Sequence, residues 1–587
     1  MAQDYRPPLA DIGFLLFDVL RAPAHWQTLP AHAGTDAALA RQVLEEAAAF
    51  VAGRVAPLQG PGDAVGCRFD PATGAVTAPP GFADAYRDFW QAGWPTLSCA
   101  PEDGGQGLPW LLEGVLYEML SAANHGWTMA PGLLHGAYEC LRHHGSEALR
   151  AAWLPRVASG EWLATMCLTE PHAGSDLGRV RTRGTPVAGD PAPEDGGRLR
   201  VRGSKIFISG GEHDLSGNIV HLVLGRLPGA PAGPKGLSLF LVPKVLADGG
   251  RNAVACERIE EKMGLHGSPT CAMRFDDATG WLVGAPHRGL AAMFVMMNAA
   301  RLHVGLQGVG LLDAAWQKAD GYARERRQMR APGRRHAPPS GPPGTAAPEA
   351  DLLADHPAMR RILDTQRAWI DGGRLLAYRA ALALDDARHH PDAGARARAE
   401  RWCALATPVL KAAWTAQAFE GASACLQVFG GHGYIREWGI EQIVRDARVT
   451  MIYEGTNEIQ AIDLLARKAL PDGGAALGGW LDDLLAECPD DAARGRIAPL
   501  ADALRDATRR VADAAADDAA LPYRVADDYL RATALLLLAW AWERIGAVAP
   551  PGDPRWALPA RALRERILPG FAASLALVDG QVRPSPD

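Results

Sequence analysis

CLTEPHAGSD, residues Cys167–Asp176, stands where the texture of the chain changes. Upstream of it, residues 35 to about 160 read as helical. Ala37–Gly53 carries Leu39, Val43, Ala47 and Phe50 three to four residues apart, the stripe of an amphipathic helix. Further helices fit Phe82–Ala92, Trp110–Ala123, Gly132–His143 and Ala148–Ala158, with Pro and Gly between most of them. Downstream, Leu199–Val201 alternates with arginines, Ile219–Leu224 and Leu237–Val242 are short apolar runs bounded by Gly and Pro, and Cys271–Phe275 is another. These are strand signals, and their density predicts a small β-sheet or barrel.

Helical periodicity returns near residue 287. Leu302, Leu306, Val309, Leu312, Trp316, Ala319 and Ala323 repeat at three and four, which predicts one long helix with a continuous buried face. Ala331–Ala350 holds six prolines and no periodicity, and reads as an exposed loop. Helices resume at about 356–388, 396–429 and 438–451, and the Ala-, Leu- and Asp-rich remainder is helical too. The expected fold class is therefore α+β, mostly α. It divides into an N-terminal extension (1–34), a helical domain (35–161), a middle β domain (162–285), a C-terminal helical bundle (286–470, with the insertion 331–350) and an appended helical region (471–587). This order lacks the βαβ alternation of a doubly wound nucleotide-binding fold. The G-x-G at Gly308–Gly310 lies inside a helix pattern with no strand before it, so it is a poor dinucleotide fingerprint.

Bulk properties narrow the function. A chain of 587 residues with 48% hydrophobic and 22% charged residues is an ordinary multi-unit globular protein. A net charge of −7 argues against a nucleic-acid or anionic-membrane binder. Nine scattered cysteines, with no C-x-x-C pair, read as reduced thiols with no metal site. The N-terminus lacks the basic region and cleavage site of a signal peptide. The apolar run Ala532–Trp542 falls short of the roughly 20 residues a bilayer span needs, so no integral membrane segment and a cytoplasmic location are expected.

Four segments carry chemistry. CLTEPHAGSD offers hydroxyl and backbone donors on a turn, suited to a polar cofactor edge or a phosphate, although a plain turn explains it as well. GSKIFISGG (Gly203–Gly211) ends a strand in Phe207, Ser209 and two glycines, either a contact edge or a core Phe. ARERRQM (Ala323–Met329) ends the long helix in arginines, either a phosphate clamp or a solvated terminus. In LQVFGGHGYIREWGIEQIVRDARVTMIYEGTNEIQAI (Leu426–Ile462), one helix ends at Gly430–Gly431 and another near Ile452, and Asn457 with Gln460 can cap the next. Glu454 then sits in a tight connection beside Ile452 and Tyr453, where apolar neighbours favour a proton acceptor. In isolation it is an ordinary loop carboxylate.

Taken together, in identity, order and spacing, these segments resemble the acyl-CoA dehydrogenase family over roughly residues 80–470. EKMGLHGSPT (Glu261–Thr270) matches the family's domain-joining segment. YRPPLADIGFLLFDVL and Gly210–Lys244 are similar to the subgroup that contains 3-methylmercaptopropionyl-CoA dehydrogenase. The resemblance implies FAD-dependent oxidation of an acyl-CoA, either a fatty acyl-CoA or 3-(methylthio)propanoyl-CoA, to a trans-2-enoyl-CoA. It implies Glu454 as catalytic base. For the FAD it implies Leu168, Thr169, Ser175, Phe207 and Ser209, and, toward a neighbouring subunit's FAD, Arg326, Gln328, Gln427, Gly430 and Gly431, with Thr456 and Glu458 near the adenine. For the substrate it implies Ser175, Asn298, Arg301 and Gly455. A homodimer or homotetramer and electron-transferring flavoprotein as acceptor follow from the same resemblance. Phe207 stands where many relatives have Trp, Met329 where many have Phe, and His266 where an Arg is common. Of the histidines, His432 lies nearest the expected flavin, while His213 and His266 read as structural. Two other functions share this fold. One is an acyl-CoA oxidase that uses O2. The other is a nucleic-acid-associated flavoprotein, but residues 471–587 hold 13 Arg and no Lys against 18 Asp plus Glu, the wrong sign for phosphate binding.

Overall fold

A computed structural model describes residues 5–187, 194–332 and 350–582, apart from the side chains of Asn298 and Ala299. The Pro-rich loop expected at 331–350 lies almost wholly outside the described residues. The chain forms two compact units, Trp26–His303 and a second one made of residues up to His25 with Val304 onward.

The first unit begins with helices α1 (Ala37–Phe50), α2 (Phe82–Gln91), α3 (Trp110–Thr128), α4 (Leu134–His144) and α5 (Glu147–Ala158). A two-stranded ribbon, β1 (Arg68–Phe69) and β2 (Val76–Thr77), lies between α1 and α2. All nineteen residues of α3 are buried, polar ones such as Glu113, Glu118 and Asn124 included, so this helix is the core of this part.

Seven strands follow: β3 (Leu163–Cys167), β4 (Arg183–Pro186), β5 (Arg198–Ser209), β6 (Ile219–Arg226), β7 (Leu237–Pro243), β8 (Val254–Ile259) and β9 (Thr270–Val283). Pairings β6–β4–β5–β9–β7 return to β6, which closes the sheet on itself. β3 adds in parallel to β6, and β8 adds antiparallel to β9. The expected β domain is thus a barrel. Its interior holds Leu199, Val201, Val223, Phe240, Val242, Met273 and Phe275. A Cβ added at Gly184 or Gly225 would come within 2.7 Å or 2.6 Å of the Phe240 ring, so these glycines make room for the interior aromatic.

Helix α6 (Gly289–Glu325) runs from one unit into the other. By length and composition it alone among the described helices passes as a bilayer span, but 75% of its most apolar window is buried within the protein, as in a core helix. In the second unit α7 (Pro357–His389) and α8 (Ala393–Val428) form an antiparallel hairpin. Then come α9 (Ile440–Arg448), α10 (Asn457–Ile462), α11 (Ala475–Ala486), α12 (Asp491–Ala514), α13 (Leu521–Val548), α14 (Pro554–Ala562) and α15 (Pro569–Val582). The G-x-G of α6 has a packing reason: a Cβ at Gly308 would sit 2.7 Å from the Trp414 carbonyl oxygen on α8.

A buried ionic cluster ties the N-terminal segment to these helices. Arg555 of α14 forks onto both Asp371 oxygens, at 2.7 and 2.9 Å, and its Nε donates to Asp11 at 2.9 Å. Arg367 reaches Asp11 and Asp371 from α7, and Arg374 reaches Asp313 at 3.1 Å. Burial raises the Asp11 carboxyl, but Arg367 and Arg555 outweigh it and hold it below its ordinary range.

Candidate active site

In the first unit, the sequence motif at the end of β3 and the end of β5 are built as one clamp. Period-two alternation along β5 turns Leu199, Val201 and Lys205 inward. Lys205 is fully buried, and its Nζ donates to the Leu168 carbonyl at 2.8 Å and to Glu170 Oε1 at 2.9 Å. Glu170, 3% exposed, also accepts from Arg181 N (2.8 Å), Thr182 N (2.9 Å) and the Thr182 hydroxyl (2.6 Å). Burial pushes its carboxyl up, yet Lys205, the Thr182 hydroxyl and the two backbone N–H groups hold it below the usual carboxylate range. The Lys205 ammonium is pushed down by burial, which Glu170 only partly offsets. Ile206 N donates to the Thr169 carbonyl at 2.9 Å and completes the attachment.

Directly after Lys205 the β5–β9 register slips, between Lys205 and Ile208. Phe207 is the irregular residue, at φ +59°, and its ring is 60% exposed. A bulge that re-aims one side chain out of a barrel wall is a common device next to functional sites. Leu168, Thr169 and Ser209 are half-buried, and the hydroxyls of Thr169 and Ser209 have no hydrogen-bond partner among the described residues. An open aromatic face with two unspent hydroxyls fits a flat ring with a polar edge, and so fits the expected flavin. Ser175 is exposed on the same loop segment.

In the second unit, the base candidate lies in the turn between Met451 and α10. Glu454 has φ +56°, a left-handed conformation that costs a non-glycine residue on the order of 1–3 kcal/mol and persists only when its surroundings over-determine it. They do. Gln460 Nε2 donates to the Glu454 carbonyl at 3.0 Å, and Lys411 Nζ donates to the Gly455 carbonyl at 2.7 Å. The Tyr453 hydroxyl donates to Gln307 Oε1 at 2.6 Å, and burial holds that phenol well above its ordinary pKa. The Glu454 side chain is half-buried in this frame.

One expectation is corrected here. The cap of α10 is Thr456, whose hydroxyl accepts from Ile459 N at 3.3 Å, not Asn457. Asn457 is buried and turned inward, its Oδ1 accepting from Lys411 (3.0 Å) and Thr415 (3.1 Å), its Nδ2 donating to the Ala412 carbonyl (3.0 Å). Glu458 is exposed, its carboxyl lowered by its own backbone N–H and by the Thr456 hydroxyl.

Arg326 and Gln328 are exposed on the extended chain after α6, which pairs with residues 350–353: Leu353 N donates to the Arg326 carbonyl (2.8 Å) and Gln328 N to the Asp351 carbonyl (3.1 Å). Gln427, Gly430 and Gly431 are exposed where α8 ends, and a Cβ at either glycine would meet nothing within 4 Å. His432 bonds the Tyr322 hydroxyl at 2.9 Å and stacks on Trp438 at 4.6 Å, which makes it a structural residue of that corner. His266 bridges Asp63 (2.8 Å) and the Lys262 carbonyl (2.9 Å), and burial lowers His213 to about 3. Arg301 is buried on α6 with its guanidinium over the Phe294 ring at 5.8 Å, and the Asn298 side chain lies outside the described residues.

Sequence reasoning missed the clamps Glu170, Lys205 and Lys411, and gave Asn457 and Gln460 a capping role in place of the clamping one. A signal existed for two of them. Lys205 falls on the inward phase of β5. Lys411 falls on the buried stripe Pro408, Lys411, Ala412, Thr415 and Ala418 of α8.

Comparisons with known proteins bear on the family and the fold. Family models for the acyl-CoA dehydrogenase N-terminal, middle and C-terminal domains match residues 39–161, 165–278 and 347–470. The chain is 41% identical over 519 residues to 3-methylmercaptopropionyl-CoA dehydrogenase of Ruegeria pomeroyi, covering 88% of this chain and 84% of that protein. It is 34% identical to a broad-specificity linear acyl-CoA dehydrogenase of Mycobacterium tuberculosis, covering 93% and 90%. Among solved structures, Caenorhabditis elegans ACDH-11 in complex with C11-CoA superposes with a TM-score of 0.76 at 19% identity, over 99% of this chain and 96% of that one. Butyryl-CoA dehydrogenase from Megasphaera elsdenii gives 0.58 at 22% identity, over 73% and 97%. At these identities the structural likeness speaks for the fold.

Proposed function

The chain belongs to the acyl-CoA dehydrogenase family, and from that premise we propose that Glu454 is the base that removes the α-proton of an acyl-CoA thioester. The enzyme is an FAD-dependent oxidoreductase acting on acyl-CoA. Bound FAD supplies the acceptor for the β-hydrogen and its two electrons, and the product is the trans-2-enoyl-CoA. The protein's task is to make a weakly acidic C–H bond transferable.

The observation that carries the reading is the strained, clamped turn at Glu454. A left-handed residue presents its backbone N–H and its side chain in a fixed relation, so one residue can supply both a proton acceptor and a hydrogen-bond donor. A donor aimed at the thioester oxygen stabilises the developing enolate by on the order of 3–4 kcal/mol. Leu168, Thr169, Phe207 and Ser209 hold the flavin ring on the Lys205–Glu170 clamp. Arg326, Gln328, Gln427, Gly430 and Gly431 serve the FAD of a second subunit in a homodimer or homotetramer, with Thr456 and Glu458 toward its adenine. Ser175, Asn298, Arg301 and Gly455 serve the acyl-CoA. Electron-transferring flavoprotein is the acceptor.

For the acyl group, the two relatives support a linear substrate, either a fatty acyl-CoA or 3-(methylthio)propanoyl-CoA. Anaerobic titration of the yellow holoenzyme with linear acyl-CoAs of graded length and with the methylthio thioester tests this. Bleaching of the flavin band with enoyl-CoA formation is expected for linear acyl groups. A protein that retains FAD and bleaches with none of them contradicts the assignment, and rapid reoxidation of the reduced protein by O2 makes it an oxidase.

A further inference from the structure

We infer that Lys411 is a positioning residue for the base: through the Gly455 carbonyl and the Asn457 amide it holds Glu454 in its left-handed conformation. The inference rests on Glu454 being the base. Lys411 is fully buried in the stripe of α8. Its ammonium reaches the carbonyl of the residue after Glu454 at 2.7 Å and the Asn457 Oδ1 at 3.0 Å. Asn457 is fastened in turn to α8 through Thr415 and the Ala412 carbonyl. Two successive carbonyls of the turn, those of Glu454 and Gly455, are therefore tied to side chains, one to Gln460 and one to Lys411.

Burying an ammonium costs several kcal/mol, and an apolar residue would fill this helix position without that cost. Charge-assisted hydrogen bonds are about twice as strong as neutral ones, which suits a group that must hold a strained peptide. Without Lys411 the Gly455 peptide can rotate and Glu454 can relax toward the right-handed region. That change swings the carboxylate and the backbone N–H together, while the flavin-edge clamp in the other unit loses no contact. Misplacement of a reacting group by about 1 Å costs on the order of 100-fold in rate.

The test compares Lys411→Met, Asn457→Leu, Asn457→Asp and Glu454→Gln as full-length holoenzymes, with a linear acyl-CoA that bleaches the wild type. The readouts are FAD per chain, substrate KM, the single-turnover rate of flavin reduction, and its isotope effect with substrate deuterated at the α-carbon. Lys411→Met is expected to keep its FAD and a KM within about three-fold. Its reduction rate should fall by about 100-fold, and its α-deuterium isotope effect should grow as proton removal becomes more rate-limiting. Asn457→Asp, which keeps the acceptor, should retain more of the rate than Asn457→Leu, and this pair decides the matter if Lys411→Met does not fold. A Lys411→Met enzyme whose rate per bound FAD and isotope effect match the wild type overturns the inference, as does equal loss in the two Asn457 variants. Normal bleaching by Glu454→Gln sinks the base assignment itself, whereas an inert Glu454→Gln beside a normal Lys411→Met sinks only the role of Lys411.

Discussion

Lys205→Met would remove the buried cation that fastens the loop after β3. Met matches the length of the Lys stem, so the change leaves little cavity and acts through lost contacts. Those are the Leu168 carbonyl at 2.8 Å and Glu170 Oε1 at 2.9 Å. Glu170, 3% exposed, would be left with its Thr182 and backbone donors and the His172 ring nitrogen at 3.3 Å, without its lysine. Breaking a buried pair by removing one partner costs about 3–5 kcal/mol, mostly from the carboxylate left behind. Against a total stability of about 5–15 kcal/mol that is a large share. Urea unfolding followed by tryptophan fluorescence at pH 7.5 should show it. The double variant Lys205→Met with Glu170→Gln removes the stranded charge, so it should recover at least half of the lost stability. FAD affinity should behave differently. Both variants leave the Leu168 carbonyl unfastened, while Thr169 keeps only its backbone bond to Ile206, so both should bind FAD about 10–100-fold more weakly, equivalent to roughly 1.4–2.8 kcal/mol. A Lys205→Met protein within about 1 kcal/mol of the wild type, or a double variant that recovers FAD affinity along with stability, would refute the reasoning.

The histidines set an acid limit. Burial lowers His125 and His303 to about 4, and His213 and His221 to about 3, from 6.5. A depressed folded pKa contributes stability that is complete above the unfolded value and is lost as pH falls toward the folded one. At pH 5.5 each of the four should therefore cost about 1.4 kcal/mol, so the melting temperature should drop between pH 7.5 and 5.5, and a flat profile would contradict it. Arg555→Ala leaves Asp11 to Arg367 and Asp371 to Arg367 and Arg374, and should cost about 3 kcal/mol, with faster proteolysis of residues 5–25 as the check. Gly308→Ala would press a methyl against the Trp414 carbonyl and should cost about 1–3 kcal/mol while FAD per folded chain stays unchanged; selective loss of FAD would revive a cofactor role for that glycine.

The helix–barrel–helix order was legible because each unit has its own periodicity. The seven-residue stripe of α6 states its period without help from tertiary context, and the continuously buried runs of β6 and β7 are marked as strands by their shortness and their bounding Gly and Pro. The turn at Glu454 was legible in outline, from a helix ending near Ile452 and another starting soon after Gly455, but its cap and its wiring were not. Thr456 and Asn457 are both competent caps by type, and only the position of Lys411 on α8 decides that Asn457 turns inward. The same holds for Glu170, which looks like any loop carboxylate until the inward phase of β5 delivers Lys205 to it. The bulge at Phe207 had no local signal, because its positive φ is imposed by the slipped pairing with β9 and not by residue type. Links between segments far apart in sequence are the part that one-dimensional pattern does not carry.

The account stands on Glu454 taking the α-proton. Its most direct measurement is anaerobic single-turnover mixing of wild type and Glu454→Gln holoenzymes with a linear acyl-CoA, following the flavin band and enoyl-CoA together. The expected result is that Glu454→Gln keeps its FAD, binds the acyl-CoA with a spectral shift, and is reduced at least about 1,000-fold more slowly, some 4 kcal/mol of lost barrier lowering. Reduction of Glu454→Gln at the wild-type rate, with enoyl-CoA formed, would contradict it and move the base elsewhere.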